Sequence, residues 1–380
     1  MSNLIYHEVI PNNLQVQYTQ NENVDFDISV PNRKINLGSI RIEGELSVSY
    51  SGQSLNSDAV ADGTAINIKD IKMDHLVGAH ALFESITTSI AAPSKAVIET
   101  LNEYPRYVKM AVSATSGRDD MLNSNNLCEM KNTDDLFTNV VLQGVVPKEN
   151  FTAPIRLNPD FSCRPLFCLN SGQGDASYRQ IGDAQISLTL NRTSAVLYGN
   201  DVNANVTYVI NDLKLRFTSS PDDGTDEPIV LKTKLAIKQS IQSSFSSIQT
   251  RVPAVCNAVT VSFQPQLEEN SVNYNNFQLS APPLLTQTQF LFNDSTNTLV
   301  SYVIRSVSEV QDRAIDSMMD TTRNSLSTQN LANNNGFLAG MDFGQMIDLA
   351  SSKFSLQLTS SITNTNPMVV YMFFHSFQEL

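Results

Sequence analysis

The segment 219–228 (SSPDDGTDEP) gathers the side chains in this sequence that are best suited to bind a metal ion. Its carboxylates belong to Asp222, Asp223, Asp226 and Glu227, and oxygen ligands of this kind bind divalent cations. Their spacing does not match the EF-hand loop, in which the ligands recur at fixed positions. We therefore expect a solvated, turn-rich loop and keep a calcium site as the less favoured alternative.

The four histidines, His7, His75, His80 and His375, are too widely separated to form a metal-ligand motif. His375 falls within the apolar run at the end of the chain. We expect it to be a hydrogen-bonded histidine of the core or of an interface rather than a ligand, and no metal site is predicted.

The four cysteines are too few and too irregularly spaced for a disulfide framework. They are Cys128, Cys163, Cys168 and Cys256. Cys163 and Cys168 lie on opposite faces if the segment that holds them is an extended strand. Buried free thiols are the expected state.

Other short motifs lack the context that catalysis requires. Asp342-Phe343-Gly344 matches the kinase tripeptide, but no glycine-rich loop, strand lysine or catalytic-loop motif accompanies it. Gly172-Gln173-Gly174 lacks the third glycine of a dinucleotide-binding loop, and no G-x-S-x-G motif occurs. The sequence therefore predicts no catalytic residues, no cofactor and no enzyme activity.

The sequence Tyr104-Pro105-Arg106-Tyr107 offers two aromatic rings and a cation that could stack on a sugar. The same residue types also build rigid corners inside proteins. We favour the structural corner and keep sugar binding as the alternative.

Composition bounds the class of protein. The chain has 380 residues, 41% of them apolar, which is enough for a large core. Only 17% are charged, and the net charge is −13 without any basic block, so direct binding of nucleic acid is not expected. The polar surface depends on Asn, Gln, Ser and Thr, which suits a subunit of an assembly. Neither a secretory signal nor a membrane span is predicted.

The sequence predicts strands for most of the segments that must position the side chains named above. The alternation of apolar and polar residues is clearest in Ile40–Tyr50, whereas Met368–Phe377 is apolar on both faces and predicts a central strand. The other predicted strands are Val24–Val30, His80–Ala92, Tyr104–Thr115, Leu136–Val146, Thr152–Leu157, Cys163–Asn170, Ala184–Leu190, Val206–Ile210, Leu213–Phe217, Ala258–Phe263, Gln289–Phe292, Leu299–Ile304 and Phe354–Leu358.

Two short helices are predicted among these strands. Lys95–Asn102 fits one helix, and Ser306 with Glu309 forms a capping box at the start of the other. The region Ile229–Ser247 is compatible with a helix or with strands and stays open. Because strands and helices do not alternate, the sequence predicts an all-β fold, either a sandwich or a jelly roll.

Several blocks resemble the penton, or minor capsid, protein of virophages and Polinton-like viruses. The resemblance rests on Pro31–Tyr50, Gly78–Val112, Phe167–Phe217, Phe290–Ile304 and Phe343–Leu380. It implies a viral jelly-roll β-sandwich with an inserted, mostly-β region and one or two short helices. In this interpretation residues 1–174 and 301–380 form the roll, and residues 175–300 form an insertion that projects outward.

The resemblance also implies a function and a strand order. Five copies would plug each vertex of an icosahedral virus particle, surrounded by trimers of a double jelly-roll major capsid protein. Because a jelly roll places its first and last strands side by side, Ile35–Tyr50 would pair with Met368–Phe377, and Phe354–Leu358 would lie in the other sheet.

Two further hypotheses remain open at this point. The chain could itself be a double jelly-roll major capsid protein that forms trimers with a pseudo-sixfold outline. Alternatively, it could be a β-sandwich spike that binds a host receptor or a carbohydrate. A hydrolase on a β-scaffold is the least favoured, because no nucleophile–base pair can be named.

Overall fold

A computed structural model describes most of the chain. The described residues are 4–50, 53–54, 72–92, 96–115, 129–130, 160–172, 174–199, 206–242, 245–250, 252, 255–283, 285–293, 298–304, 306–318, 328–333, 336–350, 353–359 and 367–380. Their strands form four antiparallel sheets, and each sheet draws its strands from one half of the sequence.

The first half forms one β-sandwich. One of its sheets contains β1 (Ile5–Val9), β2 (Gln17–Thr19), β4 (Arg33–Asn36), β5 (Arg41–Tyr50), β6 (Gln53–Ser54), β9 (Asp160–Cys163), β10 (Asp175–Ser177) and β12 (Val206–Pro221). The other contains β3 (Asn23–Ile28), β7 (Phe83–Ile90), β8 (Ala96–Asn102) and β11 (Ala184–Leu190). Side chains alternate between core and surface along β11 and β12, as expected for strands with one buried face.

The second half forms another β-sandwich. Its first sheet has the order β13 (Val230–Ile241), β20 (Met368–Glu379), β15 (Val255–Pro265) and β18 (Ala339–Asp348). Its second sheet has the order β14 (Phe245–Thr250), β19 (Lys353–Thr359), β16 (Gln287–Asn293) and β17 (Thr298–Ile304).

Both sandwiches arrange their strands in the same way. We number the strands of each sandwich one to eight in chain order. One sheet then has the strand order first, eighth, third and sixth, and the other sheet has the order second, seventh, fourth and fifth. In the first sandwich β1 with β2, β4 with β5 and β9 with β10 each count as one interrupted strand, and the two-residue β6, which pairs with the end of β5, is not counted. This order, with the first and last strands side by side, is that of a jelly roll.

A helix follows the fifth strand in each half. These two helices are α1 (Tyr104–Thr115) and α5 (Val307–Met318). Shorter helices are α2 (Cys168–Ser171), α3 (Tyr178–Ile181), α4 (Thr193–Val196) and α6 (Thr328–Asn333). Among the helices of the described segments, none is long and apolar enough to cross a bilayer.

Helix α5 begins where the capping motif predicts. The hydroxyl oxygen of Ser306 accepts a hydrogen bond from the backbone N–H of Glu309 at 3.2 Å. Further along, α5 packs closely on β18 because Gly340 has no side chain. A Cβ at Gly340 would lie 2.6 Å from the Ser317 hydroxyl oxygen, which is closer than real Cβ atoms come.

Several local predictions are wrong. Residues Ala96–Asn102 of the predicted helix Lys95–Asn102 form β8. The predicted strand Tyr104–Thr115 is helix α1, in which the polar residues Arg106, Lys109 and Ser113 recur at helical spacing and are buried together with their apolar neighbours. Only the first residue of the predicted strand Cys163–Asn170 lies in a strand, β9, and Cys168 starts helix α2. The open region Ile229–Ser247 forms strands.

The predicted strands Leu136–Val146 and Thr152–Leu157 lie outside the described residues. Part of the predicted loop at 321–335 forms α6. By contrast, Phe354–Leu358 lies in β19, in the other sheet from β20, as predicted.

The predicted pairing between the two ends of the chain is also wrong. Strand β20 is central, as its apolar run predicts, but its neighbours are β13 and β15. Strand β5 pairs with β12 instead. Each half closes on its own first and last strands, so the sheets do not follow a roll made of 1–174 with 301–380 and an insertion at 175–300.

Candidate functional site at the contact between the two sandwiches

Strand β20 shows how closely the two sandwiches are joined. Its side chains alternate between two cores: Val370, Met372 and Phe374 pack inside the second sandwich. Val369, Tyr371 and Phe373 belong to the core of the first sandwich. The sheet formed by β13, β20, β15 and β18 is therefore buried on both faces at this strand, which explains the uninterrupted apolar sequence.

Arg106 of α1 reaches from the first sandwich into the second. Its guanidinium donates hydrogen bonds to the side-chain oxygen of Gln264 and to the backbone oxygens of Asn276 and Gln278, the last at 3.2 Å. The guanidinium carbon lies 4.0 Å from the centre of the Tyr371 ring. Because Arg106 is only 2% exposed, these contacts take the place of water at its two terminal nitrogens.

Glu99 of β8 links the two sandwiches through its carboxylate. One oxygen accepts the backbone N–H of Lys234 in β13 at 2.8 Å, and the other accepts the backbone N–H of Cys168 at 2.7 Å. Burial raises the pKa of Glu99, and the Lys234 ammonium and the two backbone donors oppose that effect. A carboxylate at this position thus satisfies one donor on the outer edge of β13 and one at the start of α2.

Neighbouring residues complete this edge. The Ser171 hydroxyl oxygen accepts the backbone N–H of Lys232 at 2.8 Å. The Lys234 ammonium lies 5.1 Å from the centre of the Tyr107 ring and donates to the Lys232 carbonyl. Lys238 forms an ion pair with Glu103 at 3.2 Å. The first sandwich therefore caps the edge strand β13, which would otherwise present unpaired backbone groups.

A buried ion pair holds α1 in place. The Lys109 ammonium lies 2.7 Å from a carboxylate oxygen of Asp74, which also accepts a hydrogen bond from the side-chain amide of Asn275. Burial alone would raise the pKa of Asp74, but Lys109, the charge of His75 and these hydrogen bonds hold it well below its usual value. Asp74 therefore stays ionised and fixes the position of α1.

His375 lies at the centre of this contact and is a core histidine, as predicted. Its Nε2 lies 2.8 Å from the Thr260 hydroxyl oxygen, which in turn lies 2.7 Å from the Ser317 hydroxyl oxygen. Burial, aided by the charge of Lys234, lowers the pKa of His375 to about 3. The imidazole is therefore neutral at physiological pH and serves as a hydrogen-bonding partner.

The acidic loop is explained by ion pairs. Arg179 donates two hydrogen bonds to the Asp226 carboxylate, at 2.9 and 3.1 Å, and lies 3.5 Å from Asp222. The Lys34 ammonium lies 2.6 Å from Asp223. The bond from Arg179, with one from Ser177, lowers the pKa of Asp226 to about 2. Within the described ranges, no group of side chains has the arrangement of a metal site.

The tyrosines that could have stacked on a sugar are not accessible. Tyr104 is 0% exposed, and its hydroxyl lies 2.6 Å from Nδ1 of His80, while Tyr107 is 1% exposed. This agrees with the interpretation of the segment as a structural corner. The described cysteines, Cys163, Cys168 and Cys256, are buried free thiols as predicted, and Cys128 lies outside the described residues.

Sequence reasoning missed the charged residues at this contact. Glu99, Lys109 and Lys234 gave no motif, although each is a charged residue next to apolar neighbours. That signal is weak, because amphipathic strands and helices also place charges beside apolar residues.

Comparisons with known proteins identify the architecture. No family model and no curated protein match this chain. Solved structures do: the Faustovirus major capsid protein is similar over 100% of this chain and 90% of its own, at 8% identity and a TM-score of 0.57. The PBCV-1 virus capsid protein is similar over 100% of this chain and 95% of its own, at 9% identity and a TM-score of 0.59. The mavirus major capsid protein is similar over 99% of this chain and 90% of its own, at 9% identity and a TM-score of 0.51.

The fold is a double jelly roll. At these identities the likeness concerns the fold alone. It confirms the predicted viral jelly-roll class and agrees with two complete rolls along the whole chain. In this double jelly roll, α1 of the first roll and the outer face of the second roll form one buried contact.

Proposed function

We propose that this chain is a structural subunit of an icosahedral virus capsid and that it acts as a major capsid protein. The observation that carries this proposal is the repeated strand order, which makes the second half a complete jelly roll rather than an insertion. Similarity over 90% or more of the Faustovirus, PBCV-1 and mavirus proteins supports the same conclusion. The mature subunit would reside in the virion after assembly in the infected cell.

Geometry favours a trimer over a pentamer. Two similar rolls per chain give six similar units in a ring of three copies, and such a ring has the pseudo-sixfold outline needed to tile a flat facet. Head-to-tail contacts between copies close into a ring when the rotation at each contact is appropriate. Arg106 and Glu99 hold the two rolls of one chain in a single relative orientation. This orientation defines the rotation from one roll to the next within each copy.

The pentameric vertex protein remains the second candidate, because blocks such as Gly78–Val112 resemble it. In that function this protein would occupy the vertices among trimers of another major capsid protein. A vertex position would also be compatible with binding a host receptor.

Counting the copies in the purified assembly tests the proposal. Native mass spectrometry of the full chain should show three copies, and electron microscopy of assembled particles should show trimers across the facets. Five copies, or particles that carry this protein only at the vertices, would replace the major capsid function with the vertex function. Glycan binding by an isolated monomer would favour the spike hypothesis.

A further inference from the structure

The contact inside the chain joins two strands that lie at the edges of their sheets. Strand β8 is the fifth strand of the first roll and the last in its sheet, and β13 is the first strand of the second roll and the last in its sheet. Glu99 on β8 binds the backbone of β13, and Lys238 on β13 pairs with Glu103, which follows β8. Within one chain, the fifth strand of one roll therefore packs against the first strand of the next roll.

The equivalent strands at the other ends of the two rolls have no such neighbour among the described residues. These are β17, the fifth strand of the second roll, and β1 with β2, the interrupted first strand of the first roll. Both lie at the edges of their sheets. Open edges that could pair or pack with another chain are usually protected in proteins that remain monomeric.

Exposed apolar side chains are concentrated at one of these open edges. Tyr6 is 81% exposed and Val16 is 88% exposed. The large apolar residues exposed within 4–16 are Leu4, Ile5, Tyr6, Ile10, Leu14 and Val16, and Val303 on β17 is 37% exposed. We call residues 4–19 the N-terminal edge. Apolar side chains grouped in this way on a soluble protein commonly mark an interface.

Contacts with the first roll nonetheless hold the N-terminal edge in a defined position. His7 points into the roll and stacks on Phe217 with ring centres 4.7 Å apart, and β1 pairs with β12 along all five of its residues. Because successive side chains of a strand point to opposite faces, this anchoring of His7 directs Tyr6 away from the core. Ile5 and Tyr6 therefore belong to an ordered strand, while Leu4 directly precedes β1, and Ile10, Leu14 and Val16 lie between β1 and β2. A segment held in this way can form a specific contact at a low cost in entropy.

We propose that the N-terminal edge binds β17 of a second copy of this chain, as β13 binds β8 within one copy. This inference rests on the proposed function, and it identifies the surfaces that join the copies. Since a fifth strand and a first strand are different surfaces, the contact is head-to-tail and can close into a ring. Three contacts inside chains and three between chains would then alternate around the axis.

The chemistry of the two contacts differs in a way that can be measured. The contact inside the chain uses buried charges such as Arg106 and Glu99, whereas the N-terminal edge offers mainly apolar side chains. Salt screens exposed charges but does not weaken apolar association. The trimer should therefore persist at high salt.

Charge placed on the N-terminal edge should prevent trimer formation. Tyr6→Lys and Val16→Lys each introduce an ammonium that would lose its hydration in the contact. Leu267→Lys is the matched control, because Leu267 is also 76% exposed but lies in the turn after β15. Both edge variants should be folded monomers by circular dichroism and native mass spectrometry, with at least a tenfold weaker association, and the control should be a trimer.

A cross-linking experiment tests the partner surface directly. In the double variant Val16→Cys and Val303→Cys, a bifunctional maleimide should join different copies and give covalent dimers and trimers. Each single variant should give neither, which also controls for the native cysteines. This measurement does not require the folding of a charged variant.

The outcomes separate the inference from the proposed function. If the unmodified chain forms trimers, but both lysine variants also form them and the double cysteine variant does not cross-link, the inference is wrong and the proposed function stands. If the unmodified chain is a monomer or a pentamer, the proposed function fails and the inference fails with it.

Discussion

Glu99 and Lys234 belong to different jelly rolls, yet a carboxylate oxygen of Glu99 lies 2.8 Å from the backbone nitrogen of Lys234. The bond holds the edge of one roll at a fixed register on the other. Because the other oxygen of Glu99 is bound to the backbone of Cys168, the side chain has two acceptors facing two donors. This arrangement accounts for the burial of an acidic residue at this position.

Replacing Glu99 with Gln should destabilise the protein. The amide nitrogen of glutamine would face one of the two backbone N–H groups, and a buried donor without an acceptor costs roughly 2 kcal/mol. Chemical denaturation should show that loss in the free energy of unfolding. The exposed Glu227→Gln is the matched control and should leave the free energy unchanged, and equal stability of both variants would contradict the prediction.

Replacing Arg106 with Lys should also destabilise the protein, although the charge is kept. Lysine cannot donate in several directions within one plane, so some of the acceptors on Gln264, Asn276 and Gln278 would lose their partner. We expect a loss of about 2 kcal/mol in the free energy of unfolding. Arg192→Lys, an exposed change at the rim of the same contact, should have no measurable effect.

His375 should make the protein sensitive to acid. Its pKa in the folded protein is about 3, below the ordinary histidine value of 6.5, so the unfolded state takes up a proton first as the pH falls. The histidine therefore costs no stability above pH 6.5 and reduces stability progressively below that value. Between pH 7 and pH 5 the loss should be about 2 kcal/mol.

The variant His375→Gln isolates this effect. Glutamine can keep a hydrogen bond to Thr260 but does not titrate. The difference in unfolding free energy between the unmodified protein and the variant should shrink by about 2 kcal/mol from pH 7 to pH 5. A difference that stays constant over this range would show that His375 binds a proton in the folded state.

Calcium should not stabilise the protein. The carboxylates of Asp222, Asp223 and Asp226 are already paired with Arg179 and Lys34. A cation would have to displace these partners, and the loop lacks the ligand spacing of calcium sites. The melting temperature should be the same with millimolar calcium as with a chelator, and a rise of several degrees would indicate a site.

The sequence carried enough information for some elements because they depend on local patterns. Alternation along Ala184–Leu190 predicts β11 with the observed bounds, and the capping motif at Ser306 predicts the start of α5. The apolar run at Met368–Phe377 predicts a central strand, and β20 is one. By contrast, α1 is predicted as a strand although its polar residues Arg106, Lys109 and Ser113 recur at helical spacing, and the two rolls bury these polar residues together with the apolar ones.

By itself, the sequence determined the all-β class, the central position of the last strand and the absence of any recognisable catalytic motif. These follow from the spacing of apolar residues and from motifs within a few residues of each other. Only the tertiary structure decided that β5 pairs with β12 and β20 with β13, and so that the chain forms two rolls instead of one. The physical reason is that backbone hydrogen bonds between strands are nearly the same for any pair. The choice of partner depends on loop closure within each half and on how distant side chains pack together.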